Sequence, residues 1–155
     1  MASLRTLADL GTALTLMISL AACGGSATGP KACDVLTLDG AKKLLGPSAT
    51  LSRSAQPNVM ETQCQYRSAN GTLTLMTGSW AGIESMKSSD DKPLTGLGDE
   101  ASEGFTGVTV RKGVIGMNVS MILMSGDFWG KAADSEEART HAAEEKVAAE
   151  LVTRL

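Results

Sequence analysis

From residue 33 onward the apolar positions fall into two alternating periods. Leu38, Ala41 and Leu44 with Leu45 recur at helical spacing behind Thr37, which is placed to cap a helix, and Gly46-Pro47 stops it. Residues 47–60 break the pattern with Pro, Ser, Gln and Asn, and predict a loop or an irregular edge. Residues 61–67 and 72–78 predict a hairpin, because Leu73 and Leu75 alternate with threonines and Asn70-Gly71 supplies turn residues that tolerate positive φ. Trp80, Ile83 and Met86 or Lys87 fit a short helix, and residues 88–93 a loop. A second hairpin is expected from residues 105–111 and 114–124, joined at Lys112-Gly113. On its long strand Ile115, Met117, Val119, Met121 and Leu123 share the expected core face. The chain closes in a helix opened by the Asp134/Glu137 capping pattern, with Ala138, Ala142, Val147 or Ala148, Leu151, Val152 and Leu155 as its expected buried stripe. Strands in the middle and helices at both ends predict an α+β fold. The expected sheet is antiparallel, of about four to five strands, with an N-terminal and a C-terminal helix packed on one face.

Ahead of this domain the pattern changes. Arg5 precedes an eleven-residue, largely apolar run, Leu10 to Leu20, too short to cross a hydrocarbon core of about 30 Å as a helix. Residues 1–22 therefore read as an export signal, with Asp9 an untypical acid at the start of the run. At its end Leu20-Ala21-Ala22-Cys23 resembles the lipobox of bacterial lipoproteins at all four positions. That resemblance implies diacylglyceryl transfer to the Cys23 thiol and cleavage before Cys23, leaving the membrane as the first partner. Two acyl chains on one residue satisfy the two-signal requirement for stable anchoring. Residues 23–32 read as a flexible tether, on the order of 17 Å in mean reach for a Gly-rich coil, and residues 33–155 as one domain.

The 155 residues carry 14 Lys+Arg against 17 Asp+Glu, a net charge of −3, which argues against nucleic acid as a partner. The five aromatics, Tyr66, Trp80, Phe105, Phe128 and Trp129, give little material for stacking platforms. With Cys23 assigned to lipid, Cys33 and Cys64 remain as an even pair in an oxidising compartment and are expected to form a structural disulfide. Closing a loop of that length is worth roughly 3 to 4 kcal/mol in the chain-entropy account.

Four landmarks then stand in one order: CDVLTLDGAKKLLG at 33–46, CQY at 64–66, GLGDEA at 96–101, and a late hairpin followed by a helix. Together with the lipobox they resemble the actinobacterial lipoproteins of domain-of-unknown-function family 3558. The resemblance spans nearly all of residues 33–155 and implies an actinobacterial cell envelope, but it carries no reaction.

Candidate chemistry is sparse. His141 is the sole histidine and shares a helix with Glu137, Glu144 and Glu145, a spacing that a solvated helix face offers without any catalytic purpose. Met117, Met121 and Met124 supply thioethers, but alternation turns Met124 away from the other two, so packing is the better reading than copper. Asp90-Asp91 and the group Asp99, Glu100 and Glu103 lack calcium-loop spacing and read as turn chemistry. No nucleophile elbow, P-loop or H-E-x-x-H occurs. Phe128-Trp129, in the stretch between the last strand and the last helix, either caps the core or anchors a partner. The expectation is a non-catalytic, lipid-anchored extracytoplasmic binding or sensory-accessory module at the cell membrane, without metal or cofactor. Its alternative is a carrier of an apolar small ligand held between Ile115, Met117, Val119 and Met121 and the C-terminal helix.

Overall fold

The computed structural model describes residues 29–58, 61–124 and 133–155. In chain order they form α1 (Ala32–Val35), α2 (Leu38–Leu45), β1 (Thr50–Asn58), β2 (Glu61–Ser68), β3 (Gly71–Ser79), α3 (Trp80–Glu84), β4 (Lys92–Leu94), β5 (Glu100–Gly104), β6 (Gly107–Lys112), β7 (Ile115–Leu123) and α4 (Ala133–Leu151), which ends in a 3-10 turn at Val152–Arg154. The strands make one antiparallel sheet in the order β1-β2-β3-β7-β6-β5-β4. The α+β class therefore stands, with seven strands in place of the four to five expected. The three additional strands are β1, β4 and β5. They carry little alternation of their own and become strands because a neighbour supplies their hydrogen bonds.

The chain builds this sheet from two meanders. The first runs β1, β2, β3; α3 then carries the chain to the far edge, and β4, β5, β6 and β7 walk back until β7 lies beside β3. The two join in continuous register from Gly71↔Leu123 to Ser79↔Ile115. One face of the sheet holds the main core: Cys64 and Tyr66 of β2, Leu73 and Leu75 of β3, Met117, Val119 and Met121 of β7, Val108 and Val110 of β6, and Ala101 of β5. The same core takes in Val35, Leu36, Ala41 and Leu45 from the α1–α2 region and Val147, Ala148 and Leu151 from α4. On the other face α3 buries Ile83 over Gly116, where any larger residue would collide with the isoleucine side chain. Beside it the buried Asn118 amide donates to Thr109 Oγ1 at 3.1 Å.

The helix caps follow local rules. The Thr37 hydroxyl accepts the Gly40 N–H at 3.2 Å at the start of α2, and Ser79 does the same for Gly82 at the start of α3. Cys33 and Cys64 form a disulfide with Cα atoms 5.1 Å apart, tying α1 to β2. Tyr66 strengthens that tie by donating its hydroxyl proton to the Leu36 carbonyl at 2.9 Å.

Two sequence expectations are corrected here. Residues 29–32, expected in the flexible tether, pack instead: the Pro30 carbonyl accepts the Thr77 hydroxyl at 2.6 Å, Ala32 N–H donates to Thr62 Oγ1 at 2.7 Å, and Ala32 is buried. On α4 the expected stripe holds from Val147 and Ala148 through Leu151, with Val152 and Leu155 packed against the core, but not in the turns before them. Ala138 and Ala142 are exposed, while Glu144, Val147, Ala148 and Leu151 face the sheet. Among the described residues no helix is long and apolar enough to cross a membrane.

The disulfide closes a loop of 31 residues in sequence separation. The Cys33→Ser/Cys64→Ala variant is expected to lose about 3 to 4 kcal/mol of stability. Urea unfolding at neutral pH measures it; a loss under about 1 kcal/mol would show that the bridge adds little to a loop already fixed by packing.

Candidate functional site

The most unusual chemistry lies where β6 runs out. The β5–β6 hairpin turns at Phe105-Thr106, and Gly107 restarts the chain at φ 104°, a left-handed value that glycine reaches without strain. A side chain at 107 would also run into the Val119 carbonyl and Ser120 Cα of β7. Pairing of β6 with β7 ends at Val108↔Val119. Two residues further along β7, the Met121 N–H has no strand to receive it on that side.

Glu144 fills the vacancy. Its Oε1 accepts the Met121 N–H at 2.6 Å, although the residue is only 3% exposed. A carboxylate at such a position costs desolvation energy, which its hydrogen bonds must offset. Burial pushes the Glu144 carboxyl above its ordinary range; the Met121 N–H and His141 pull it back, and Glu103 pushes it up again. His141 stands one turn earlier on α4. Its Nδ1 is 3.4 Å from Glu144 Oε2 and 3.0 Å from Glu103 Oε1 of β5, so the ring bridges helix and hairpin and forms a true ion pair when protonated.

This arrangement corrects the reading of His141 as a member of a solvated helix face. Glu144 points into the sheet and His141 is half-buried between two carboxylates from different elements. The spacing along α4 alone could not reveal it, because Glu103 approaches from a strand about forty residues earlier in the chain. The chemistry on offer is that of a clamp, in which a buried carboxylate and an imidazole fasten the middle of α4 to β5 and β7.

The other candidate residues are dispersed. Asp99 Oδ2 accepts the Gly113 N–H at 2.6 Å and closes the β6–β7 turn. Glu100 bridges Lys87 at 2.9 Å and Arg111 at 3.5 Å, and the Lys87 hydrogen bond holds its carboxyl below the ordinary range. Glu103 points to the opposite face, so this acidic group does not converge. Asp91 packs against Gly104, and Asp90 is exposed. Met117 and Met121 are buried in the core while Met124 is exposed. Among the described residues no group of three or more His, Cys, Asp or Glu side chains is placed to hold a metal ion. Cys23, Phe128 and Trp129 lie outside the described residues.

Beside the clamp sits an apolar corner. Phe105, at the hairpin tip, is fully exposed at 102%, and Ile122 and Met124 are exposed at the end of β7. The expected strand over residues 105–111 hid this, since it starts two residues late and leaves the phenylalanine on the turn. Nothing in its apolar character could have signalled exposure. No family model matches the chain, and neither does any curated protein or solved structure.

The raised pKa of Glu144 fixes a sign. The folded chain holds that proton more tightly than the unfolded one, so the group favours folding most below the ordinary value of 4.5, and this is lost as pH rises through the raised folded value. In a His141→Gln background, the stability of Glu144→Gln relative to Glu144 is therefore expected to increase from pH 4.5 toward neutrality. Parallel pH profiles in urea unfolding would contradict it. Glu144→Ala removes the acceptor altogether and is expected to cost about 1 to 3 kcal/mol.

Proposed function

We propose that the protein is a non-catalytic, lipid-anchored module of the extracytoplasmic face of the cell membrane that binds another envelope component through the Phe105 corner. The observation that carries this reading is the polarity of the sheet. The first described residues, Gly29 and Pro30, lie beside Ile115, Gly78 and Thr77, whereas Phe105, Ile122 and Met124 lie at the opposite end of the strands. Val108 pairs with Val119, so the tip of the β5–β6 hairpin lies about six residues along the sheet from Ile115, which separates the two ends by roughly 20 Å. A module anchored through Cys23 thus holds its exposed apolar corner away from its anchor.

The lipobox-like Leu20-Ala21-Ala22-Cys23 and the run of motifs resembling family 3558 support anchoring and an actinobacterial envelope. An aromatic side chain fully exposed on a tight turn is the kind of residue that supplies binding energy when a partner desolvates it. The carrier alternative is favoured by no observation: Met117, Val119 and Met121 belong to the same buried core as Val147, Ala148 and Leu151.

Two substitutions test the proposal. Cys23→Ser is expected to release the protein from the membrane fraction. A photo-crosslinking amino acid at 105 is expected to capture a discrete envelope partner in the native host. Once that partner is identified, Phe105→Ala should weaken binding by about 1 to 2 kcal/mol while shifting folding stability by less than about 0.5 kcal/mol. No crosslink at 105, or an equal yield from a probe at exposed Arg53 on the far edge strand β1, would remove the corner as the binding surface. A bound apolar molecule seen by native mass spectrometry would revive the carrier.

A further inference from the structure

The end of the sheet where the chain enters has its own composition. Gly29 lies six residues after Cys23, a reach of at most about 20 Å when fully extended. Gly29 lies against the Ile115 side chain, and Ile115 begins β7 immediately after the β6–β7 turn. That turn presents Val114 at 67% exposure, and the Val114 carbonyl accepts the Trp80 N–H at 2.9 Å. The Trp80 ring is flanked by Lys87 Nζ at 5.4 Å and Arg111 Cζ at 5.7 Å from its centre. Lys31 and Lys112 are exposed at the same end.

We infer that this end, with Val114 at its tip and Trp80 beside it, rests on the lipid surface that holds Cys23. The inference builds on the lipid-anchor reading and assigns the anchored module an orientation. The length of chain outside the described residues argues for it, because the six steps from Cys23 to Gly29 bring the entry end within about 20 Å of the acyl chains, while the Phe105 corner stands roughly 20 Å further along the strands. An exposed valine beside an indole suits the boundary between headgroups and acyl chains, where amphipathic rings and apolar tips gain most. Such a contact can be weak and still be populated, since the tether makes it intramolecular.

Charge contributes little to the attraction. Glu100 pairs with both Lys87 and Arg111, Asp99 is occupied by the Gly113 N–H, and Asp34 and Glu84 are exposed acids on the neighbouring helices against Lys31 and Lys112. The contact is therefore expected in zwitterionic lipid as well as in anionic lipid.

The test uses the full-length chain, processed in a lipoprotein-competent host and reconstituted in phosphatidylcholine vesicles. Val114→Cys and Phe105→Cys are labelled singly with an environment-sensitive fluorophore; both positions are exposed and the native Cys33–Cys64 pair is bonded. A nitroxide lipid labelled at headgroup depth is expected to quench the label at 114 several-fold more than the label at 105, with a blue shift at 114 alone. Equal quenching, stronger quenching at 105, or none at either position in vesicle-bound protein overturns the orientation and leaves the anchor standing. An intact mass without a diacylglyceryl group, together with failure to bind the vesicles, overturns the anchor reading itself.

Discussion

Strands β3 and β7 are far apart in sequence, yet their pairing turns two locally built meanders into one sheet. Each meander alone exposes a long edge and an unmatched apolar face, which three or four strands without covering helices cannot protect. Joining them places Leu73 opposite Met121, Leu75 opposite Val119 and Thr77 opposite Met117. The row so formed is the floor against which the helices bury their apolar sides. A slip of one residue would turn that row to the other face, so the register carries the whole core. Loop closure across α3 and the second meander must precede any of this gain, which gives the fold a strongly non-local character.

The sequence speaks clearly wherever one turn or one cap decides the structure. Thr37 and Gly46 are local chemistry, and alternation along 115–123 identifies the inward residues Met117, Val119 and Met121. The hairpin around Asn70-Gly71 forms as expected, although it turns at Ala69-Asn70 with Gly71 already in β3 and Asn70 not at positive φ. Cys33 and Cys64 are legible because, once the lipobox-like Cys23 is set aside, the two remaining cysteines leave a single pairing. The edges are not legible. β4 is three residues including Pro93, and β5 reads Glu-Ala-Ser-Glu-Gly, a composition with low strand preference. Both become strands because β6 offers β5 a partner and β5 then offers β4 one.

The clamp is illegible for a different reason. Periodicity sorts residues by polarity, and Glu144 is a polar residue in a buried row with Val147, Ala148 and Leu151. Its burial answers a demand from outside its own helix: a backbone donor on β7 left over when β6 ends. Such demands are set by the relative lengths of strands, which no window along α4 contains. The displaced expectation of Ala138 and Ala142 as core follows from the same blindness, since small residues fit either side of a helix.

An apolar side chain at 144 would bury as much surface without a desolvation cost, but it would leave the Met121 N–H without an acceptor. The carboxylate therefore adds position more than stability. It fixes the height of α4 on the sheet to a single backbone atom, and through His141 and Glu103 it fixes the β5–β6 hairpin to the same helix. Phe105 is two residues beyond Glu103 on that hairpin. An exposed aromatic ring on a free hairpin would lose much of its binding energy to its own ordering; on a hairpin pinned at its root that loss is smaller. On the proposed reading of Phe105 as a binding residue, the buried carboxylate and the exposed ring are two parts of one arrangement, the first holding the hairpin root that carries the second.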